Sequence, residues 1–309
     1  MRNRVAAIDC GTNSFRLLIA APGRSGGLVE LTRELEIVRL GQGVDATGEL
    51  HPDALARIFA AAERYTERLR AYGVAPEATR VVATSAARDA RNVEDFFAGM
   101  ASRLGVRPEV ISGGEEARLS FVGALSGVGV PAEGSVLMMD IGGGSTELVL
   151  GDPGGTIEHA VSLDIGSVRL TERFGLIGPV TPSRRAAATA YVDALLDGLA
   201  WSFGGVGTWI GVAGTVTTVS ALVQELPAYD RARVHGSIVA TSALTDLLER
   251  LASSTAEQIR SLGAMEPGRA DVITAGALIA DRIARRVGRP MLVSESDILD
   301  GVALDLLSS

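Results

Sequence analysis

Near its start the chain runs apolar from Val5 to Ile8, reaches Asp9, passes Gly11, Thr12, Asn13 and Ser14, and turns largely apolar again from Phe15 to Ala20. That pattern predicts strand, tight turn, strand. The same grammar returns further on. Val136 to Met139 are apolar, Asp140 and Ile141 lead into Gly142, Gly143, Gly144, Ser145, Thr146 and Glu147, and Leu148 to Leu150 are apolar again. Two such hairpins predict two similar half-molecules. After the first, the pattern predicts a strand at 29–38, a helix at 51–72, a strand at 80–84, a helix at 93–104, a strand at 109–111 and a further helix. After the second, strands at 156–162, 208–212 and 291–293 alternate with helices, among them a long one at 182–203. The order β-β-β-α-β-α-β-α therefore occurs twice, the second time with inserted helices. It predicts an α/β protein of two domains, each a mixed sheet with helices on both faces, with the turns lining a cleft between the domains.

Details of the helices follow from spacing. In 51–72, Pro52 sits in the first turn, Leu55, Ile58, Phe59, Ala62, Tyr65 and Leu69 share a face, and Gly73 stops the helix. Asn92 is placed to cap 93–104. In 182–203 the inward residues are expected to be Ala187, Tyr191, Ala194, Leu195 and Leu199, and Trp209 on the following strand is expected in the core.

Length and composition set limits. With 309 residues, 47% of them hydrophobic, the chain can bury two cores. No Pro- or Ser-rich linker separates them, so the division is expected after the helix at Glu116, giving domains 1–122 and 123–309. A net charge of −8 and a pI near 5.1 argue against a nucleic-acid or membrane-surface partner. A polyanionic substrate stays open, since screening confines exposed charges to roughly 8 Å at physiological ionic strength. Every basic residue is arginine. A Walker loop needs its lysine, so phosphate contacts must come from arginine and backbone N–H groups. Cys10 is the lone cysteine, which fits a reducing compartment. His51, His159 and His235 show no spacing that would activate it, so it reads as a small buried residue. No apolar run approaches the roughly 20 residues of a membrane span, and no secretory segment opens the chain. A cytoplasmic protein is expected.

Candidate chemistry gathers at the turns. Gly142 to Gly144 let backbone N–H groups converge on an anion, and Asp140 and Glu147 flank them where a divalent cation or a water would be held. The strand at 80–84 delivers Ser85 and Arg88 into a loop, a ligand-facing place in α/β sheets. Arg88 is either a phosphate clamp or a partner of Asp89 or another surface acid. Glu115 and Glu116 open a helix, and neighbours there point roughly 100° apart, so one of them is expected to face the cleft. Position alone does not choose. The small residues from Gly211 to Thr218 either admit a nucleotide or phosphate at a helix N-terminus or permit close packing. The basic stretches Arg231, Arg233, His235 and Arg282, Arg285, Arg286, Arg289 read as solvated faces.

Four ordered motifs carry a resemblance: Asp9-x-Gly11-Thr12-Asn13-Ser14; Ala83-Thr84-Ser85-x-x-Arg88-x-x-x-Asn92; Ile111-Ser112-Gly113-x-Glu115-Glu116-Ala117-Arg118-Leu119; and Asp140 through Glu147. Together they resemble the exopolyphosphatase and guanosine-pentaphosphate phosphohydrolase (Ppx/GppA) family of the sugar kinase and actin-like superfamily. Weaker matches follow at Ala213-Gly214-Thr215, at Arg269 to Ile273, and from Val293 to Gly301. The resemblance implies two ribonuclease H-like (actin-like) domains with the active site in the interdomain cleft. It implies Glu116 as the catalytic carboxylate, with Asp140 and Glu147 as acidic partners. Asp9, Asp140 and Glu147 would serve a Mg2+ (or Mn2+), and Thr12, Asn13, Ser14, Arg88, Gly142, Gly143, Gly144 and Ser145 would hold phosphates.

Larger members carry a further C-terminal helical domain. This chain resembles the short, two-domain members, for which a homodimer would restore a long groove. The expected reaction removes terminal phosphate from inorganic polyphosphate, with Glu116 deprotonating the attacking water. The alternatives are a guanosine pentaphosphate 5′-phosphohydrolase, an actin-like kinase using the Gly214 turn for ATP, and a non-catalytic module that binds alarmones.

Overall fold

The structure, a computed structural model, describes residues 3–23 and 27–308. The chain divides into two compact units, 1–126 with 297–309, and 127–296. The first holds β1 (Val5–Cys10), β2 (Ser14–Pro22), β3 (Leu28–Ile37), α1 (Val44–Thr47), α2 (Pro52–Ala71), β4 (Thr79–Ala83), α3 (Ser85–Asp89), α4 (Val93–Leu104), β5 (Glu109–Val110) and α5 (Gly113–Gly127). Its sheet runs β3-β2-β1-β4-β5, with β1 antiparallel to β2 and parallel to β4.

Strand side chains alternate between faces, and β1 shows what that does. Ala6, Ile8 and Cys10 join Ile58 and Tyr65 of α2 and Phe96 and Met100 of α4 in one core. Val5 and Ala7 join Leu119 of α5 and four residues from the chain end, Ile298, Leu299, Val302 and Ala303, in another. Helices therefore cover both faces of this sheet.

Helix α2 starts where the sequence predicts. Pro52 takes the first turn and the His51 imidazole accepts from the Asp53 N–H. Ala54, Ile58, Ala61, Ala62, Tyr65 and Leu69 are its buried stripe, with Leu55 and Phe59 half-buried beside them. Tyr65 stacks on Phe15 at 4.6 Å and donates its hydroxyl to the Phe15 carbonyl at 2.8 Å, which ties α2 to β2 just past the first turn.

The second unit holds β6 (Ser135–Ile141), β7 (Thr146–Gly151), β8 (Ile157–Leu163), α6 (Ser167–Phe174), α7 (Pro182–Asp197), β9 (Val206–Val212), α8 (Ala213–Val223), α9 (Arg231–Val234), β10 (Ile238–Val239), α10 (Thr241–Ser253), α11 (Ala256–Arg260), α12 (Ile273–Val287) and β11 (Met291–Val293). Its sheet order, β8-β7-β6-β9-β11-β10, repeats the first sheet and adds β10 antiparallel on the β11 edge. The last helix, α13 (Ile298–Ser308), belongs to the first unit.

Several expectations need correcting. The helix expected over 182–203 ends at Asp197, where Gly198 begins a Gly- and Ser-containing stretch that costs helix stability. Its buried stripe is Ala188, Val192 and Leu196; Ala187 and Ala194 are exposed, and Tyr191, Leu195 and Leu199 flank the core half-buried. In an alanine-rich helix the apolar count barely fixes the phase, and the i, i+4 spacing of the larger residues decides it. Asn92 stands at the N-cap of α4 but caps nothing: its amide accepts from Leu50 N–H at 2.8 Å and donates to Leu50 O at 3.0 Å. Strand β10, two residues long, has no periodicity to read. The expected division at 122 and 123 assigned the whole C-terminal half to one domain, whereas α13 packs on β1, β2 and β3. Trp209 and Cys10 are buried, as expected.

Candidate active site

The two turns close alike. Gly11 N–H donates to Ser14 O at 3.0 Å, and Gly142 N–H donates to Ser145 O at 3.0 Å. The registers also match: Asp9 lies opposite Arg16, and Asp140 lies opposite Glu147. Directly opposed residues of an antiparallel pair share a face. The repeat thus puts an aspartate in the same place twice and faces it once with a guanidinium, once with a carboxylate.

Around the first turn the neighbours are fixed by backbone bonds. Thr12 O accepts from Gly41 N–H at 2.8 Å, and Asn13 O accepts from Val38 and Arg39 N–H at 3.0 and 2.9 Å. Thr84 N–H donates to Cys10 O at 3.3 Å, and the Thr12 and Ser85 hydroxyls pair at 2.9 Å. One turn along α3, Arg88 donates Nη1 to Glu116 Oε2 at 2.7 Å and to Ile111 O at 3.0 Å. Its carboxylate partner is Glu116, not Asp89.

The adjacent glutamates part company. Glu116 is buried, while Glu115 is half-buried and takes both ends of Arg118 at 2.8 Å, with Arg80 at 3.6 Å. The hydrogen bonds from Arg118 hold the Glu115 carboxyl below its usual range.

Asp9 is 4% exposed. Arg16 gives Nε and Nη2 to Asp9 Oδ2 at 3.0 and 2.7 Å, and Oδ1 has no partner. Burial pushes its carboxyl up, against the pull of Arg16. The side-chain oxygen of Asn13 is likewise buried without a partner.

In the second unit, α6 holds the turn by its carbonyls. Gly142 O accepts from Ser167 N–H at 2.9 Å, and Gly143 O accepts from Val168 and Arg169 N–H at 2.8 and 3.1 Å. Gly166 passes so close that a Cβ there would lie 2.4 Å from the Gly143 carbonyl carbon and oxygen. Thr146 donates its hydroxyl to Ile165 O at 2.6 Å, and Ser162 donates to Glu147 Oε1 at 2.7 Å. Ser145, Asp140 and Glu147 are all buried.

Among the described residues no three His, Cys, Asp or Glu side chains gather as a cation cage. What is present is a buried, partnerless carboxylate oxygen on Asp9 and the opposed pair Asp140 and Glu147. Either, within its own unit, suits Mg2+, which keeps waters and takes one or two carboxylates with phosphate oxygens. The residues fit a cation that arrives with phosphate.

The turn at Gly214 makes room for Arg269, whose guanidinium would lie 2.2 Å from a Cβ at that position, so close packing is its visible use. The basic stretches are largely paired: Arg282 and Arg286 with Asp193, Arg285 with Asp281, Arg231 with Glu295. His235 accepts from Glu295 N–H on Nδ1 and meets Gly127 O through Nε2. The sequence pattern singled out Ser85 but neither Arg16 nor Asp297. The register of a four-residue turn would have found Arg16 opposite Asp9. Asp297, which bonds Arg16 from 281 residues away, gave no signal. Among the described residues no helix is long and apolar enough to cross a membrane.

Known proteins resemble this chain along nearly its whole length. Exopolyphosphatase 2 of Mycobacterium tuberculosis is 46% identical, covering 98% of this chain and 98% of its own. A crystal structure of an exopolyphosphatase-like protein superposes with a TM-score of 0.91 at 39% identity, covering 98% of each chain. The Ppx/GppA member from Aquifex aeolicus gives a TM-score of 0.82 at 29% identity, over 99% of this chain and 97% of its own. The model of the Ppx/GppA phosphatase family matches residues 19–309. With the paired turns, the repeated actin-like sheet and this match across the chain, the protein belongs to the Ppx/GppA phosphatase family.

Proposed function

We propose that this chain is an exopolyphosphatase, a hydrolase that removes terminal phosphate from inorganic polyphosphate. The observation that carries the reading is the buried Glu116 held by Arg88 next to the first turn: Thr12 pairs with Ser85, and Ser85 opens the helix that bears Arg88. A carboxylate kept out of bulk water beside an arginine that suits phosphate is an acid–base group with an anion-binding partner. The name and length of the Mycobacterium tuberculosis relative support the same activity.

In this reading Thr12, Asn13 and Ser14 bind terminal phosphate by hydroxyl, amide and backbone groups, and the turn from Gly142 to Ser145 offers backbone N–H groups to phosphate as well. Arg88 binds phosphate in exchange for Glu116, spreading charge that develops as the anhydride breaks. Glu116, released from that pair, takes a proton from the attacking water on its carboxylate and orients it in line with the leaving oxygen. Carboxylates such as Asp9, Asp140 or Glu147 would hold a Mg2+ (or Mn2+), which would neutralise phosphate oxygens when bound. Asp140 and Glu147 gain from this directly, because opposed carboxylates repel.

The reading includes a homodimer and a cytoplasmic setting, the latter supported by the single buried cysteine. The test is phosphate release by purified protein from polyphosphates of several lengths and from guanosine pentaphosphate, with and without Mg2+, with light scattering for the oligomer. Mg2+-dependent release from polyphosphate in preference to the nucleotide is expected. Preference for guanosine pentaphosphate would make it a 5′-phosphohydrolase, and binding without turnover would make it a sensor.

A further inference from the structure

In the first unit two arginines meet three buried carboxylates. Arg16 on β2 gives Nε and Nη2 to Asp9 Oδ2 at 3.0 and 2.7 Å, and Nη1 to Asp297 Oδ2. Arg33 on β3 gives Nη2 to both oxygens of Asp300 at 2.9 Å and lies 4.0 Å from Asp297. Asp297 is fixed from its own side too: its Oδ1 accepts from Leu299 N–H at 3.0 Å, and its N–H donates to Asp300 Oδ2 at 3.0 Å. Asp9, Asp297 and Asp300 are all but sealed from solvent, at 4, 4 and 6% exposure. Glu30 adds a fourth carboxylate on Arg33 from a more exposed position, at 2.9 Å.

Every oxygen of Asp297 and Asp300 is engaged. Asp9 Oδ1 alone is not. Two guanidiniums cannot neutralise three buried carboxylates, and an uncompensated buried charge is costly. Excess negative charge beside one idle carboxylate oxygen is the complement of a cation.

We propose that Asp297 is a positioning residue for the first turn: by holding Arg16 it fixes Asp9 with Oδ2 engaged and reserves Oδ1 for the Mg2+ that accompanies phosphate. The identity of that ligand rests on the polyphosphatase reading; the positioning does not. The head of the last helix thereby governs a carboxylate at the chain's start. A bond that merely stabilised the fold would lower stability and leave metal affinity alone, whereas groups that orient a metal ligand typically change affinity about 10- to 100-fold when altered.

The experiment uses full-length wild type, Asp297→Asn, Arg16→Lys and Asp9→Asn. Mn2+ binding in the presence of inorganic phosphate is read by electron paramagnetic resonance, alongside thermal unfolding and phosphate release against Mg2+ concentration. Asp297→Asn is expected to weaken Mn2+ binding about 10-fold or more, and to raise the Mg2+ needed for half-maximal activity, with kcat at saturating Mg2+ largely kept. Arg16→Lys, which keeps the charge but not the two-pronged hold on Oδ2, is expected to do the same by an independent route should Asp297→Asn fold poorly. Asp9→Asn sets the upper limit of the loss. No Mn2+ binding by wild type, or unchanged affinity in folded Asp297→Asn and Arg16→Lys, would overturn the proposal. A wild type that binds Mn2+ but releases no phosphate would fail the polyphosphatase reading instead and leave the positioning standing.

Discussion

Glu115 and Glu116 are one peptide bond apart and meet opposite surroundings. Glu115 is chelated by Arg118 at the helix surface, and Glu116 is buried against Arg88. Glu116→Gln is expected to fold, bind polyphosphate and lose at least about a hundredfold in turnover, the lower range for a positioned base. Glu115→Gln should leave turnover unchanged and cost no more than about 1 kcal/mol, since a partly exposed ion pair is worth little. Its effect has a sign in pH. A folded pKa held below the usual value means that Glu115 stabilises the protein above about pH 4.3 and loses that contribution as pH falls through the depressed value. Acid unfolding of Glu115→Gln should therefore converge with wild type at low pH, and kinetics with urea titrations at several pH values check both outcomes. Equal loss of turnover from the two variants would remove Glu116 from its role. Position in the helix narrows the base to this pair and only the family resemblance picks Glu116, because the helix phase that buries it is set by α5 packing Ala117, Leu119 and Phe121 inward.

At the scale of elements, the hairpins were legible and their supports were not. Apolar runs of matching length around a four-residue turn fix the register that opposes Asp9 to Arg16 and Asp140 to Glu147. What holds the second turn lies well downstream, in Gly166 and the first amides of α6. Gly166 is not there for its backbone: its φ of −142° suits any residue. It is there because a Cβ would strike Gly143 backbone atoms at 2.4 Å, and backbone cannot swing aside as a side chain can. Gly166→Ala should cost about 1–3 kcal/mol, the usual range for overpacking. Because the displaced atoms belong to the turn proposed to bind phosphate, KM for polyphosphate should rise by more than any stability loss explains. Thermal unfolding and steady-state kinetics on the same preparation separate the two, and an unchanged KM would take this turn out of substrate binding.

The molecule as a whole is one plan used twice, and besides the helices and β10 inserted in the second unit its connectivity departs from that plan where α13 returns to the first. The repeated order of strands could be read from the hairpins and the spacing of later apolar runs. The return of α13 to the first unit could not, because Ile298, Leu299, Val302 and Ala303 look like any apolar helix face and carry no address. The approach is tight: a Cβ at Gly301 would lie 2.0 Å from Leu119 O, and one at Gly123 would lie 1.8 Å from Asp297 O, so α5 and α13 meet backbone to backbone. The first unit therefore depends on residues far downstream in the sequence. Residues 1–126 alone would lose the helix that covers Val5, Ala7 and Leu18 and would strip Arg16 and Arg33 of Asp297 and Asp300. Breaking a buried pair by removing one partner costs about 3–5 kcal/mol, a large share of the roughly 5–15 kcal/mol that holds a domain folded. The fragment 1–126 is expected to lack a cooperative unfolding transition by circular dichroism, and the same fragment with 297–309 joined through a flexible linker should regain one. Carrying Asp297→Asn in that linked fragment should lower its midpoint, which assigns the gain to the ion pairs as well as to apolar cover. Cooperative unfolding of 1–126 alone, at the midpoint of the linked form, would mean that α13 is a passenger on a sheet already complete.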